Sequence, residues 1–143
     1  MIVIIGLPGS GKSHLCQKYE NEGYIIHDDF ISRFYNRQLL SDIETNTKIC
    51  VADPRLCNIE TFNKFILYFK NPLLILFKNQ PELCLKNLEN RKNVGHRKNV
   101  GHRKNVGTDK SFSKSLEMLS STYSLDNYKK YEYLLVPVYQ INI

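Results

Sequence analysis

Residues 2–13 read Ile2-Val3-Ile4-Ile5-Gly6-Leu7-Pro8-Gly9-Ser10-Gly11-Lys12-Ser13. The first four are apolar and β-branched and stop at a glycine, the pattern of a strand buried on both faces of a parallel sheet. The next eight fit G-x-x-x-x-G-K-[ST], and a helical pattern begins at Lys12. A strand, a glycine-rich loop and a helix in that order make an anion cradle. Gly6, Gly9 and Gly11 let the backbone turn its N–H groups inward. The helix N-terminus adds positive potential. A lysine at position 12 reaches terminal phosphates, and a hydroxyl at position 13 holds Mg²⁺. The candidate ATP-contacting set is Gly6, Pro8, Gly9, Ser10, Gly11, Lys12, Ser13 and the adjoining His14.

Strand and helix patterns alternate along the rest of the chain. The first helix is expected over 12–21, ending at Gly23, with a second strand at Tyr24–His27. A short helix near Asp29 carries Phe30, Phe34 and Tyr35, and residues 38–47 read as an irregular loop. A third strand covers Lys48–Ala52 and stops at Asp53-Pro54, where Pro54 suits a helix start. Ile59, Phe62, Phe65, Ile66 and Phe69 mark one helical face, closed by Pro72. Leu73–Phe77 is the most apolar strand. Pro81-Glu82 opens a helix with Leu83, Leu85 and Leu88 inside it, a last helix runs from Ser113 to Tyr123, and Tyr133–Tyr139 supplies a fifth strand. This alternation predicts an α/β three-layer sandwich, with a mostly parallel sheet of about five strands and helices on both faces. A chain of 143 residues with nine Tyr and seven Phe suits one such domain, 1–143.

The net charge of +6 is local. Residues 91–110 hold seven basic side chains against Asp109 alone, and the other residues balance at 13 basic and 13 acidic. The body of the chain is therefore not a basic nucleic-acid surface. The four cysteines form no C-x-x-C pair, and no apolar run approaches membrane-spanning length. The expectation is a soluble, cytoplasmic protein in a reducing compartment with no membrane partner.

In an open α/β sheet, ligands bind at the carboxyl ends of the strands. Gly6, Asp28 and Asp53 all follow strand ends. A phosphotransferase needs carboxylates there, one to accept the proton of an acceptor hydroxyl and another to serve Mg²⁺ directly or through water. Asp29 competes with Asp28 for the first role and also suits a helix N-cap. Arg33 and Arg55, just beyond the acidic strand ends, are candidates to touch substrate phosphate. His14 and His27 lack the company of other metal ligands.

"GLPGSGKS" and "IIHDDF" together resemble the small P-loop kinases, namely nucleotide kinases and phage-type polynucleotide 5′-kinases. The resemblance implies that Asp28 is the base, that Asp53 matches the acid at the third strand end, and that a basic lid follows the fourth strand and its helix; on the reading of the residues, Ser13 and Asp53 are the candidates to hold Mg²⁺. Where that pattern places an Arg after Asp-Asp-aromatic, this chain has Ile31, and Arg33 is the nearest cation.

The lid position is occupied by "RKNVGHRKNVGHRKNVGT", residues 91–108, which repeats one hexamer three times. Three six-residue copies are too few for a stacked solenoid. A continuous helix would carry Gly95, Gly101 and Gly107, each costing about 1 kcal/mol against Ala. His96 and His102 lack further metal ligands. Residues 91–112 therefore read as a basic lid segment enlarged by a tandem hexapeptide insertion, with Arg91, Arg97 and Arg103 as candidates to meet the transferring phosphate. The expected function is an ATP- and Mg²⁺-dependent kinase acting on a nucleotide, a nucleoside or a polynucleotide 5′-hydroxyl. The alternatives are a non-catalytic nucleotide-binding P-loop protein and a nucleic-acid-binding module using the repeat as a basic arm.

Overall fold

The computed structural model describes residues 1–34, 36–45, 48–93 and 109–140, with the backbone alone for 91–93 and 109–112. Five strands, β1 (Ile2–Ile5), β2 (Ile25–Asp28), β3 (Ile49–Ala52), β4 (Leu73–Phe77) and β5 (Tyr133–Val136), form one sheet in the order β2-β3-β1-β4-β5. Every neighbouring pair is parallel. The carboxyl ends of all five strands therefore lie along one edge, with Ile4 and Asp28 both in register with Ala52.

Alternation along the strands sends side chains to two cores. Val3, Ile5, Val51, Leu74 and Leu76 join Phe30, Leu56, Phe62, Cys84 and Leu88 on one face. Ile2, Ile4, Cys50, Ile75 and Phe77 meet Cys16 of helix α1 (Lys12–Asn21) on the other. β1, β3 and nearly all of β4 are buried. Each fully buried aliphatic side chain there contributes about 1.5–3 kcal/mol over its exposed state, which is why these continuous apolar runs become central strands.

Of residues 38–47, expected as an irregular loop, 38–45 lie in helix α2 (Arg37–Thr45). Asn36 Oδ1 accepts from the N–H groups of Gln38 and Leu39 and so satisfies the first turn. Leu39 is buried, and Leu40 and Ile43 pack on the core, a one-turn apolar face. Residues 46 and 47 of the expected loop, and Tyr35, lie outside the described residues.

The single helix expected after Pro54 is divided. A 3₁₀ turn (Pro54–Cys57) leads to α3 (Ile59–Phe65) and a further 3₁₀ turn (Ile66–Tyr68). The break falls at Asn58, whose backbone is extended and whose Oδ1 accepts from Glu60 N and Thr61 N, restarting the helix. The apolar face survives the break, since Leu56, Phe62, Ile66 and Phe69 are all buried.

Helix α4 (Pro81–Asn93) runs through the first three residues of the repeat, and α5 (Asp109–Thr122) begins four residues before the expected Ser113. In α4 the inward face is Cys84 and Leu88, whereas Leu85 is exposed. α4 and α5 pack on each other. Tyr123 and Tyr128 are core residues, their hydroxyls donating to the carbonyls of Phe77 and Leu56.

Candidate functional site

The loop between β1 and α1 takes the shape its glycines allow. Gly9 and Gly11 have φ of 84° and 109°, a region that L side chains rarely enter. Space forbids a side chain there as well. A Cβ at Gly9 would lie 2.4 Å from the Cys84 carbonyl, and one at Gly11 would lie 2.6 Å from Tyr139 Cβ. The loop is thus built against the first turns of α4 and against the segment that follows β5.

Lys12 curls back over the loop, its Nζ donating to Leu7 O at 2.8 Å. Burial pushes its pKa below the ordinary lysine value, opposed by the charges of Asp28 and Asp29. Desolvation likewise pushes the neighbouring thiols up, Cys57 to about 12 and Cys84 to about 11. All four cysteines are free and buried. Ser10 is fully buried, and its Oγ has no hydrogen-bond partner among the described residues. An orphaned hydroxyl of this kind costs about 1–3 kcal/mol unless an acceptor arrives.

Ser13, the second residue of α1, donates from Oγ to Asp28 Oδ2 at 2.8 Å. The other oxygen of Asp28 accepts from Asp29 N at 3.0 Å. Asp28 is half-buried at the end of β2, and its Ser13 contact sets it beside the first turn of α1, into which the glycine loop runs. Asp29 is exposed, with φ of 52°, and stands at the N-cap position of the 3₁₀ turn Phe30–Arg33 without a side-chain capping bond. Arg33 Nη2 donates to Asp28 O at 2.6 Å.

Asp53 directly follows the end of β3. The geometry brings Ser13 to Asp28, whereas Asp53 is completely buried with both oxygens engaged. Oδ1 accepts from Arg55 N and Arg55 Nε, each at 2.9 Å, and Oδ2 accepts from Arg55 Nη2 at 2.8 Å and Ile31 N at 3.1 Å. Asp53 thereby caps the turn that Pro54 opens. A carboxylate with this burial requires such partners, and Arg55 supplies a two-pronged match. The Asp53 hydrogen bond in turn raises the Arg55 pKa. Arg55 Nη2 also donates to Ser32 Oγ at 2.8 Å, and its half-exposed guanidinium also feels the charge of Asp29. Ile31, which stands where the resembled pattern has an Arg, donates its N–H to Asp53 and packs its side chain on the core.

His27 pairs with Asp42 of α2 at 3.0 Å, away from the loop chemistry. His14 stacks on Tyr139, ring centres 4.4 Å apart, at the first turn of α1. Arg91 lies in the last turn of α4, and Arg97 and Arg103 lie outside the described residues. Two site residues were not singled out from sequence. Asn87 is buried in α4 and donates to Gly9 O at 2.9 Å. Tyr139 donates its N–H to Ser10 O at 2.9 Å. A polar residue inside the apolar face of α4 was the available signal for Asn87. Tyr139 carried none.

These residues fit a bound phosphate chain. Among the described residues the buried Ser10 hydroxyl has no partner and the Lys12 ammonium donates to a single carbonyl, and a side chain at Gly9 or Gly11 would collide with α4 or Tyr139 behind the loop. Ser13 beside Asp28 offers the oxygen donors Mg²⁺ prefers.

No protein-family model matches the chain. Among curated proteins it is 35% identical over 148 residues to the uncharacterized protein R277 of Acanthamoeba polyphaga mimivirus, covering 98% of this chain and 97% of that one. Among solved structures it is similar to a gluconokinase from Sinorhizobium meliloti 1021 (TM-score 0.60, 16% identity, 98% of this chain and 83% of that one). It is also similar to the deoxyadenosine kinase of M. mycoides with bound dATP (TM-score 0.54, 12% identity, 96% and 91%). A third similarity is to a shikimate kinase from Bacteroides thetaiotaomicron (TM-score 0.52, 13% identity, 96% and 85%). Among the described residues no helix is long and apolar enough to cross a membrane. The chain belongs to the family of the mimivirus protein R277, and its fold is that of the small P-loop kinases.

Proposed function

We propose that this protein is an ATP-dependent kinase that phosphorylates a hydroxyl of a small acceptor. The observation that carries the reading is the 2.8 Å contact between Ser13 of the phosphate loop and Asp28 at the end of β2. It sets a carboxylate beside the place where a terminal phosphate and its Mg²⁺ would sit. ATP with Mg²⁺ supplies the transferable phosphoryl group. Lys12 exchanges Leu7 O for a phosphate oxygen, which offsets the cost of its burial. Ser10 Oγ gains the partner it lacks, and Ser13 holds the metal. Asp28 is the favoured base for the acceptor hydroxyl, with Asp29 next to it. Asp53 acts from behind by fixing Arg55, whose exposed end, with Arg33, faces an anionic group on the acceptor. The basic segment supplies an arginine to the transferring phosphoryl group, from among Arg91, Arg97 and Arg103.

The acceptor classes are nucleotides, nucleosides and polynucleotide 5′-hydroxyl ends. The neutral body outside residues 91–110 favours the smaller ones. The test is incubation with labelled ATP and Mg²⁺ against nucleoside monophosphates, nucleosides, 5′-hydroxyl DNA and RNA oligomers, and the hydroxy acids gluconate and shikimate. Transfer to one class, lost in Lys12→Ala, supports the reading. Nucleotide binding with no transfer to any acceptor would instead establish a non-catalytic binder.

A further inference from the structure

The outward carbonyls of the phosphate loop are held from outside, and one side chain stands behind two of the contacts. Asn87 Nδ2 donates to Gly9 O at 2.9 Å and also to Tyr139 O. Tyr139 N in turn donates to Ser10 O at 2.9 Å. In a trans peptide the C=O and the following N–H point opposite ways. Drawing Gly9 O towards α4 turns the Ser10 N–H to Leu7 O, which it reaches at 3.0 Å, and closes the turn. Drawing Ser10 O towards Tyr139 leaves the Gly11 N–H on the inner side of the loop, where an anion would sit.

The same helix face makes the steric contact. Cys84, Asn87 and Leu88 stand at i, i+3 and i+4 on α4. A Cβ at Gly9 would meet Cys84 O at 2.4 Å and Leu88 Cγ at 2.9 Å, so the loop rests directly on this helix. The segment after β5 is tied to the start of the helix as well, by Val138 N donating to Gln80 Oε1 at 3.2 Å. Loop, α4 and the segment after β5 thus meet at a buried amide. Six residues beyond Asn87, α4 ends at Asn93, within the basic repeat. A rigid helix at about 1.5 Å per residue carries the orientation set at Gly9 about 9 Å to that segment.

We infer that Asn87 is a positioning residue of the phosphate loop, which aims the loop's peptide planes at the nucleotide and fixes the helix leading into the basic segment to them. The inference rests on the kinase reading above. Neither charge nor substrate contact is asked of Asn87; its part is to hold two carbonyls at once.

The experiment is calorimetric titration of the full chain with Mg·ATP and separately with inorganic tripolyphosphate, alongside thermal unfolding. Asn87→Leu, close in volume but with no donor, should weaken both ligands by about tenfold or more. Asn87→Gln, which restores the amide one methylene further out, should recover most of that loss. Tripolyphosphate has no base, so an equal loss for both ligands locates the defect in the loop. Unchanged affinity in a folded Asn87→Leu overturns the inference, as does a loss confined to ATP. Should Asn87→Leu not fold, Asn87→Ser, with one hydroxyl donor, is judged by the same criteria. A wild-type chain that binds neither ligand sinks the kinase reading itself and this inference with it. A wild-type chain that binds both, with Asn87→Leu unaffected, sinks this inference alone.

Discussion

The hydroxyl of Ser13 and the carboxylate of Asp28 meet at 2.8 Å, although fourteen residues separate them in the chain. Ser13 is in the first turn of α1 and Asp28 is the last residue of β2, so the β1-α1-β2 unit brings them together. The contact joins the hydroxyl proposed to hold Mg²⁺ to the carboxylate proposed as the base.

Asp28→Asn keeps the shape and hydrogen-bonding reach of this side chain but removes its basicity. Turnover should fall by about 10²–10⁴, the usual worth of a general base. Nucleotide affinity should change by less than about threefold, because the loop remains intact. Steady-state transfer and nucleotide titration on the same preparation check both halves. Full activity in the variant would remove Asp28 from the base role.

Lys12 yields a prediction whose sign follows from its burial. Its pKa lies below the ordinary lysine value of 10.5 in the folded chain, so the unfolded chain keeps this proton to higher pH. Below both values the folded state bears the cost of a buried cation. As pH rises through the folded value towards 10.5 the cost is relieved, and stability rises. Urea unfolding of the nucleotide-free wild type and of Lys12→Met, from pH 7 to pH 10, should show the difference shifting steadily towards the wild type. A difference independent of pH would contradict the burial argument.

The pair Asp53–Arg55 is structural as well as local to the site. Arg55→Met would leave a fully buried carboxylate with, among the described residues, only the N–H groups of Ile31 and residue 55. The expected destabilisation is about 1–3 kcal/mol, below the value for a wholly buried pair because Arg55 is itself half-exposed. Arg55→Lys should not restore the wild-type midpoint, since an ammonium cannot reproduce the fork. Chemical denaturation measures both.

The thiols should be inert in the folded state. With Cys84 at about 11 and Cys57 at about 12, the thiolate fraction at pH 8 is about a thousandth or less. Burial blocks access to all four. A thiol reagent at pH 8 should label no cysteine until denaturant is added, and four thereafter. Rapid labelling of the native chain would show that the core beneath Lys12 opens.

Much of this architecture was readable from local pattern. β1 and β4 coincide with their expected spans, because a strand buried on both faces writes itself as an unbroken apolar run. α1 likewise begins at Lys12, where the loop chemistry stops. The misread stretches were decided by single side chains acting on the backbone. Asn36 starts α2 where composition suggested a loop, and Asn58 divides what looked like one helix. Both asparagines also suit turns, so only the tertiary placement of Leu39 and Phe62 selects the capping role. At the site, the phosphate loop and Asp28 were legible because chain order puts them on adjoining elements. Asn87 and Tyr139 reach Gly9 and Ser10 across 78 and 129 residues of chain, and no local spacing encodes that.

Deleting residues 97–108 removes two hexamers and joins residue 96 to the start of α5. The fold should persist with a stability change of about 1 kcal/mol or less, since loop closure depends weakly on length. The variant loses Arg97, Lys98, Arg103 and Lys104. Phosphoryl transfer should survive on the remaining copy. If salt-sensitive nucleic-acid binding is present in the parent and absent here, the repeat is a binding arm. Thermal unfolding, transfer assays and titration at two salt concentrations separate these outcomes.

α4 and α5 pack on each other, and all of the repeat beyond its first three residues falls in the chain between the end of one and the start of the other. Each copy brings one arginine and one lysine and no acid. Homologues that differ in copy number should therefore share one stability profile yet elute from a cation exchanger in order of their hexamer count.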